Sequence, residues 1–268
     1  MYQDLSFDMN LFDVNLWLIL IASIVLFLGA TQIGFFLGRR AQKSGVDEHS
    51  RTQISTIQVA ILGLLALLLG FTFAMSMSRY DKRKQMVLEE ANAIGTTFLR
   101  TQLLPQPPRQ EISNLLRQYV DVRLEFYAAG VDEEKLRQAM AGAQKLHKQM
   151  WSYTPALGAK DPRAVTTGVF LLSLNEMIDL HAKRLTAMEN HVPESALILL
   201  YVLSAVAVMI VGYASGVAGL RNWFVTMMLP LLIAVVINVI VDIERPRRGL
   251  IKVGQDRLIE LRQTLAEQ

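Results

Sequence analysis

Residues 59–103 read VAILGLLALLLGFTFAMSMS (59–78) and then RYDKRKQMVLEEANAIGTTFLRTQL (79–103), and this stretch decides the fold. Its first part carries no charge and is long enough to cross a bilayer as a helix. Its second part is charged and amphipathic, and no proline interrupts the stretch before Pro105. At ~1.5 Å per residue the stretch would be roughly 65 Å long, about twice the hydrocarbon thickness of a membrane. It therefore predicts one helix that leaves the membrane and continues into a separate domain.

Composition places the rest of the chain in the same class. Hydrophobic residues make up 52% of the 268 residues, and the mean hydropathy is +0.30 although 19% of the residues are charged. Four uncharged runs hold most of the apolar residues, and each is long enough for a spanning helix. The runs are 14–38, 52–78, 195–220 and 222–241. The first run follows an acidic segment without Lys or Arg, unlike a cleavable signal peptide. We predict an integral membrane protein with four spans.

Helical patterns also fill the chain between the second and third spans. Ile112, Leu116, Tyr119 and Phe126 recur at helical spacing, and Asp132 is a typical N-cap for the following helix. We predict an all-α fold with a helical cytoplasmic domain between the second and third spans. The predicted parts are a first transmembrane hairpin (1–78, spans about 14–38 and 54–78), the helical cytoplasmic domain (79–193), a second transmembrane hairpin (194–243) and a basic cytoplasmic tail (244–268).

Lys and Arg residues near the span ends predict the orientation. Ten follow the second and fourth spans: Arg79, Lys82, Arg83, Lys84, Arg100, Arg245, Arg247, Arg248, Lys252 and Arg257. Five lie on the opposite side: Arg39, Arg40, Lys43, Arg51 and Arg221. This balance favours cytoplasmic termini and a cytoplasmic helical domain, although the basic first loop argues against that orientation.

No residue pattern indicates an enzyme, a cofactor or a metal centre. The chain has no cysteine, which excludes disulfides and thiolate metal ligands. The histidines are scattered without the i,i+4 spacing of metal ligands. They are His49, His147, His181 and His191. The net charge of +3 is modest, and the basic residues beside the spans indicate contact with lipid and not with nucleic acid.

Two of the predicted spans carry small residues where another helix could approach closely. In the second span the small residues recur at spacing four and are Ala66, Gly70 and Ala74. In the first span they are Gly29, Ala30, Gly34 and Gly38.

The opposite side of the second span carries mostly large side chains. They are Leu64, Leu68, Phe71, Thr72, Met75 and Ser76. The two sides fit an ordinary span with a packing face and a lipid face. They also fit a helix that packs through its small residues and turns the other side to a symmetric pore. Large apolar residues would then form a constriction that gates by dewetting, with Thr72 and Ser76 in a wetter vestibule.

A charged segment follows the second span, beginning with Arg79, Lys82, Arg83 and Lys84. A basic cluster at this position is typical of a topology determinant that contacts anionic lipid. Repeated around an axis, it would concentrate anions. Glu89 and Glu90 are expected to be solvated or paired with basic residues on the helix surface. On a pore face, Glu90 would bias permeation towards cations.

The same residues carry a resemblance to a known family. Leu69-Gly70-Phe71 followed by Arg79-Tyr80 resembles the second helix of bestrophin channels, where a Gly-Phe in the pore neck precedes an Arg-aromatic pair. The segments RYDKRKQMVLEEANAIGTTFLR (79–100) and DIERPRRGLIKV (242–253) resemble signatures of the bestrophin-like domain family of bacterial membrane proteins. The order of spans and domain is similar over most of the chain.

The resemblance implies a homopentamer in the bacterial inner membrane, with the second span lining the pore above a helical vestibule. The neck would include Phe71 and, one turn earlier, Leu67, whereas Gly63 replaces a large apolar residue of bestrophins. The acidic calcium clasp of animal bestrophins is missing, since Asp242 and Glu244 lie among arginines. We expect Asp242 to form an ion pair with these arginines at the membrane interface.

The leading hypothesis is a passive, bestrophin-like ion channel whose partners are lipid, other copies of the chain and inorganic ions. Its pore and neck would comprise Leu64, Leu67, Leu68, Phe71, Thr72 and Met75. Its cytoplasmic entrance would comprise Arg79, Lys82, Arg83 and Glu90. The alternative is a non-conducting membrane scaffold or signalling protein whose helical domain binds a partner.

Overall fold

The computed structural model describes residues 14–160, 164–219 and 223–268, and the regular structure in this part of the chain is helical throughout. The helices are α1 (Leu16–Lys43), α2 (Glu48–Thr101), α3 (Pro108–Ala128), α4 (Glu133–Ser152), α5 (Thr154–Lys160), α6 (Val169–Glu189), α7 (Glu194–Ala218), α8 (Trp223–Ile243) and α9 (Asp256–Ala266), with a π-helical turn at Ala164–Gly168. The predicted all-α class is confirmed. The acidic N-terminal segment and Arg221 lie outside the described residues.

Four helical segments of the described chain are long and apolar enough to cross a membrane. They are Leu16–Lys43, Glu48–Thr101, Val165–Ala218 and Thr226–Ile243. Helix α2 continues past its apolar part, which ends at Ser78, and reaches Thr101 without a break. The four predicted spans and the long second helix are therefore confirmed.

The chain divides into two compact units, each built from two separate segments. The first unit comprises Met1–Ser78 and His191–Arg245, and the second comprises Arg79–Asn190 and Pro246–Gln268. The second unit therefore takes in both the long charged segment and the C-terminal segment. Placement of this unit in the cytoplasm stays a prediction.

In the first unit, α1 and α7 pack backbone to backbone through glycines. A Cβ atom at Gly34 would lie 1.9 Å from the Met209 carbonyl oxygen, and one at Gly212 would lie 2.1 Å from that of Thr31. Neither position tolerates a side chain without moving a helix. The predicted small-residue packing of the first span is confirmed at Gly34, whereas a Cβ at Gly29 would meet nothing within 4 Å.

The second unit has its own apolar core. Ile112, Leu116 and Tyr119 are fully buried there, as their helical spacing predicts. The Asp132 carboxylate accepts the Lys135 amide at 3.1 Å, so its role as N-cap of α4 is confirmed. Buried residues of the C-terminal segment belong to the same core cluster and are Val253, Leu258 and Leu265. The C-terminal segment is thus part of this core.

Candidate functional site on helix α2

The apolar part of α2 packs against its own unit on one side. Leu65, Thr72 and Ser76 are buried on this side, and Leu65 belongs to an apolar cluster with residues of α1, α7 and α8. The Thr72 hydroxyl donates to the Leu68 carbonyl oxygen of its own helix at 2.8 Å. Leu68 itself is half-buried against the cluster. Helical geometry therefore turns this side of α2 inward.

The other side of α2 carries large apolar residues that the chain leaves exposed. Phe71 is 66% exposed, Leu64 is 55% and Leu67 is 54%, and Met75 is exposed as well. Residues at spacing four lie almost above one another on a helix. Leu67 and Phe71 therefore form one continuous apolar stripe on the surface of the single chain.

The small residues Ala66, Gly70 and Ala74 are exposed beside this stripe. A Cβ atom at Gly70 would meet nothing within 4 Å in the described chain. The predicted packing stripe therefore has no partner helix among the described residues of its own chain, in contrast to the glycines of α1 and α7.

The family resemblance and the helical wheel predict partly different neck residues, and the exposure of these residues separates the two predictions. The family resemblance selects Leu67 and Phe71, which both lie on the exposed side. The helical wheel also selects Thr72, which is only 3% exposed because its side of α2 faces the chain's own cluster. A pore-lining or vestibule position for Thr72 and Ser76 is therefore wrong.

The basic residues after the apolar part of α2 separate into exposed and buried ones within the second unit. Lys82 is exposed and Arg79 is half-buried. The Arg79 guanidinium donates to the Asn190 side-chain oxygen at 2.9 Å. Arg83 is buried, and its Nε and Nη2 donate to the carbonyl oxygens of Ala187 and Asn190 at 3.1 and 2.8 Å. Arg83 thus caps the end of α6, and the prediction that it lines an entrance is wrong.

Glu90 is also buried, with no exposed surface, so its predicted surface position is wrong. Its carboxylate accepts from Arg123 Nε at 2.7 Å, from the Tyr119 hydroxyl at 3.3 Å and from Arg184 Nη1. Burial alone would raise the pKa of Glu90, but the charges of Arg123 and Arg184 outweigh it and lower the pKa to about 2. Glu90 is therefore a buried, paired anion and not an entrance residue.

Two histidines that are far apart in the sequence meet beside this carboxylate. His181 Nδ1 lies 3.1 Å from the Tyr119 hydroxyl, and the His147 ring centroid lies 4.9 Å from that of Tyr119 and 5.0 Å from that of His181. Burial, followed by the charge of Arg123, lowers the pKa of His147 to about 4 and that of His181 to about 3. Local sequence spacing gave no signal for this cluster. No group of three metal-ligating side chains occurs among the described residues.

Acidic residues at the end of the fourth span are buried within the first unit. Asp242 is 3% exposed and Glu244 has no exposed surface. Glu244 Oε2 accepts the Val192 amide at 3.2 Å and lies 3.6 Å from His191 Nδ1. Glu244 therefore joins the end of α8 to the residues that precede α7. The ion pair of Asp242 with the following arginines stays a prediction.

Comparison with known proteins gives a consistent assignment. A family model described as Bestrophin-like domain matches residues 25–258. The structure of a variant of the bacterial bestrophin homologue from Klebsiella pneumoniae matches with a TM-score of 0.72 at 13% sequence identity, over 95% of this chain and 98% of that chain. Another structure of that homologue matches with a TM-score of 0.65 at 14% identity, over 94% and 98%. No curated protein matches significantly.

Proposed function

Because the chain belongs to the bestrophin-like family, we propose that it is a homo-oligomeric ion channel whose pore is lined by the exposed side of α2, with an apolar neck at Phe71. The shared fold with the Klebsiella homologue, over almost the whole of both chains, supports the proposal. The observation that carries it is the outward position of Phe71 and Leu67, which are 66% and 54% exposed on the single chain.

The two exposed stripes of α2 suit a ring of copies around an axis. At about 100° per residue, the stripe of Ala66, Gly70 and Ala74 lies roughly 80° from the stripe of Leu67 and Phe71. Small residues allow the helix of a neighbouring subunit to approach closely. The large residues beside them would then meet at the axis. By resemblance to bestrophins, we infer five copies in a bacterial inner membrane.

The neck would act as a hydrophobic gate. A narrow ring of Phe71 and Leu67 side chains excludes water and hence ions until it widens, which is gating by dewetting. Gly63, one turn before Leu67, has no side chain and leaves the pore wider there. Leu64 and Met75 flank the constriction on the same exposed side.

Exposed charges after the apolar part of α2 would form the cytoplasmic entrance. Lys82 is exposed and Arg79 is half-buried, so these two replace the larger set that included Arg83 and Glu90. Several copies of Lys82 around an axis would focus the electric field on passing ions. Cytoplasmic termini and a cytoplasmic second unit complete this proposed arrangement.

Planar-bilayer recording of the purified protein tests the proposal. Phe71→Ala removes the largest side chain of the neck, and we expect a severalfold higher open probability or conductance than in the wild type. The matched control is Phe36→Ala, since Phe36 is an equally exposed aromatic residue on α1, at 70%. We expect this control to conduct like the wild type. No conductance in the wild type and in Phe71→Ala would overturn the channel proposal in favour of the scaffold.

A further inference from the structure

The second unit buries a cluster of polar side chains that the proposed channel does not use. Its members come from every long segment of the unit: Glu90 of α2, Tyr119 and Arg123 of α3, His147 of α4, His181 and Arg184 of α6, and Gln255 of the C-terminal segment. None of them is more than 9% exposed. These are the titratable and charged groups that surround the two histidines, and Gln255 adds a neutral amide.

Hydrogen bonds in the cluster place a proton on His181 Nδ1. The Tyr119 hydroxyl donates to Glu90 at 3.3 Å, so its single proton is already used. Its oxygen therefore accepts from His181 Nδ1 at 3.1 Å. This relay needs a proton on His181 Nδ1, which the neutral Nδ1–H tautomer supplies and the imidazolium supplies as well. His147 is held by its ring contacts, and its buried Nε2 has no hydrogen-bond partner in the described chain.

The cluster already holds excess positive charge. Glu90 balances only one of the two buried guanidinium groups, those of Arg123 and Arg184. Each histidine that is protonated adds a further charge in a site from which water is excluded, and such a charge is costly when it has no counter-ion. The lowered pKa values of His147 and His181 agree with this geometry.

Arg184 connects the cluster to the C-terminal segment. Its guanidinium donates both to Glu90 and to the Gln255 side-chain oxygen. The Gln255 amide in turn donates to the carbonyl oxygens of Val253 and Gly254 at 3.0 and 3.1 Å, which shapes the chain just before α9. His181 is three residues before Arg184 on the same helix, so a positive charge there would repel the group that holds Gln255.

We propose that this cluster is an acid-operated latch for the C-terminal segment. With His147 and His181 neutral, Arg184 holds Gln255 and Pro246–Gln268 stays packed in the second unit. With both histidines protonated, repulsion displaces Arg184 and the C-terminal segment leaves the core. The latch is a property of the second unit alone and does not depend on ion conduction.

The pH range of the latch follows from proton linkage. In the closed state both histidines resist protonation, whereas in the released state water reaches them and their pKa values rise towards the ordinary value of about 6.5. The released state therefore binds more protons below pH ~6.5, and the closed state loses stability as the pH falls towards about 4. Because two protons are bound on release, the equilibrium constant for release rises by up to about 100-fold for each unit by which the pH falls. Glu90 keeps its charge across this range because its pKa is about 2.

Hydrogen–deuterium exchange of the full-length protein in nanodiscs tests the latch from about pH 7.5 to about pH 4.5, with labelling times scaled for intrinsic exchange. We expect the amides of Asp256–Ala266 to lose protection as the pH falls. The double variant His147→Phe/His181→Asn keeps a ring at one position and a donor near the Nδ1 position at the other, yet neither can take a proton. We expect its C-terminal segment to stay protected.

The matched control is His49→Asn, which changes an exposed histidine of the first unit and should keep the wild-type acid response. Equal loss of protection in the double variant, or full protection of the wild type at pH ~4.5, would overturn the latch. If the double variant is unprotected even at neutral pH, the single variant His147→Phe replaces it in the test. One remaining titrating histidine should lower the slope to about 10-fold per pH unit, and an unchanged slope would overturn the proposal.

Discussion

Glu90 is the residue on which the second unit depends most. Replacing it with glutamine leaves Arg123 and Arg184 buried without a counter-ion. Breaking a buried ion pair in this way costs about 3–5 kcal/mol, which corresponds to a fall of roughly 6–20 °C in the melting temperature. Thermal unfolding of Glu90→Gln at neutral pH measures the effect.

Glu89→Gln is the matched control for this substitution. Glu89 is half-buried and accepts a surface hydrogen bond from Gln85 at 2.7 Å, so we expect a change within about 0.5 kcal/mol. Because the folded-state pKa of Glu90 is about 2 and its ordinary value is 4.5, its contribution to stability is complete above pH 4.5 and declines as the pH falls towards 2. Similar melting temperatures for Glu90→Gln and Glu89→Gln would show that the ion pair does not stabilise the unit.

The sequence contains part of the information about Glu90. It lies three residues after Val87 and four before Ile94, a helical spacing that indicates an apolar side of α2, whereas its charge alone predicts the surface position that is wrong. Its partners could not be found in this way. Arg123 and Arg184 are 33 and 94 residues away along the chain, and their approach depends on how α3 and α6 pack. Local patterns therefore predict the buried side of a helix but not the charges that meet on it.

At the scale of helices, the α1–α7 pair depends on glycine. In Gly34→Ala the new Cβ would lie 1.9 Å from the Met209 carbonyl oxygen, and backbone atoms can move away only if the helices separate. Overpacking of this kind costs about 1–3 kcal/mol, so we expect a lower melting temperature. Gly29→Ala on the same helix meets nothing within 4 Å, and it should be neutral or stabilising by up to ~1 kcal/mol because alanine favours helix. Circular dichroism during heating measures both variants, and equal melting temperatures would contradict close packing at Gly34.

The small-residue stripe of α2 has a different role from the glycines of α1. We predict that Gly70→Leu prevents assembly, because a large side chain would keep the neighbouring α2 helix away. Ala22→Leu is the control, since Ala22 is an exposed small residue of α1. Native mass spectrometry of both variants gives the number of subunits. Wild-type stoichiometry in Gly70→Leu would exclude this stripe from the interface.

Small residues at spacing four predict close helix packing in both α1 and α2, and the sequence does not distinguish the two cases. Gly34 finds its partner backbone in α7 of the same chain, whereas Gly70 finds none in the described chain. The difference lies in which side of each helix the tertiary fold covers. Exposure of Phe71 and burial of Thr72, one residue apart, have the same origin. A helical wheel orders the side chains around α2, but only the packed neighbours show which of them faces outward.

At the scale of the whole molecule, the two chain segments that make up the second unit constrain the membrane topology. Arg79–Asn190 and Pro246–Gln268 share one core, and we therefore predict that both segments lie on the same side of the membrane. The chain between them contains α7 and α8, which on this prediction cross the membrane as a hairpin. With one crossing each by α1 and α2, we predict that the start of α1 lies on that same side and that the loop between α1 and α2 lies on the other. The basic tail is predicted as a part separate from the helical domain because no local sequence pattern shows that Val253 and Leu258 pack into a core formed by residues far away in the chain.

Single cysteines test this topology cleanly because the chain has none of its own. Lys148→Cys on α4, Gln263→Cys on α9 and Ser44→Cys after α1 all replace exposed residues. In inside-out membrane vesicles, a membrane-impermeant maleimide should label Lys148→Cys and Gln263→Cys but not Ser44→Cys, and intact spheroplasts should give the reverse pattern. Labelling of Lys148→Cys and Gln263→Cys from opposite sides would contradict a hairpin of α7 and α8. Reversal of the whole pattern would keep the four crossings but place the termini outside, which would show that the basic first loop and not the later segments determines the orientation.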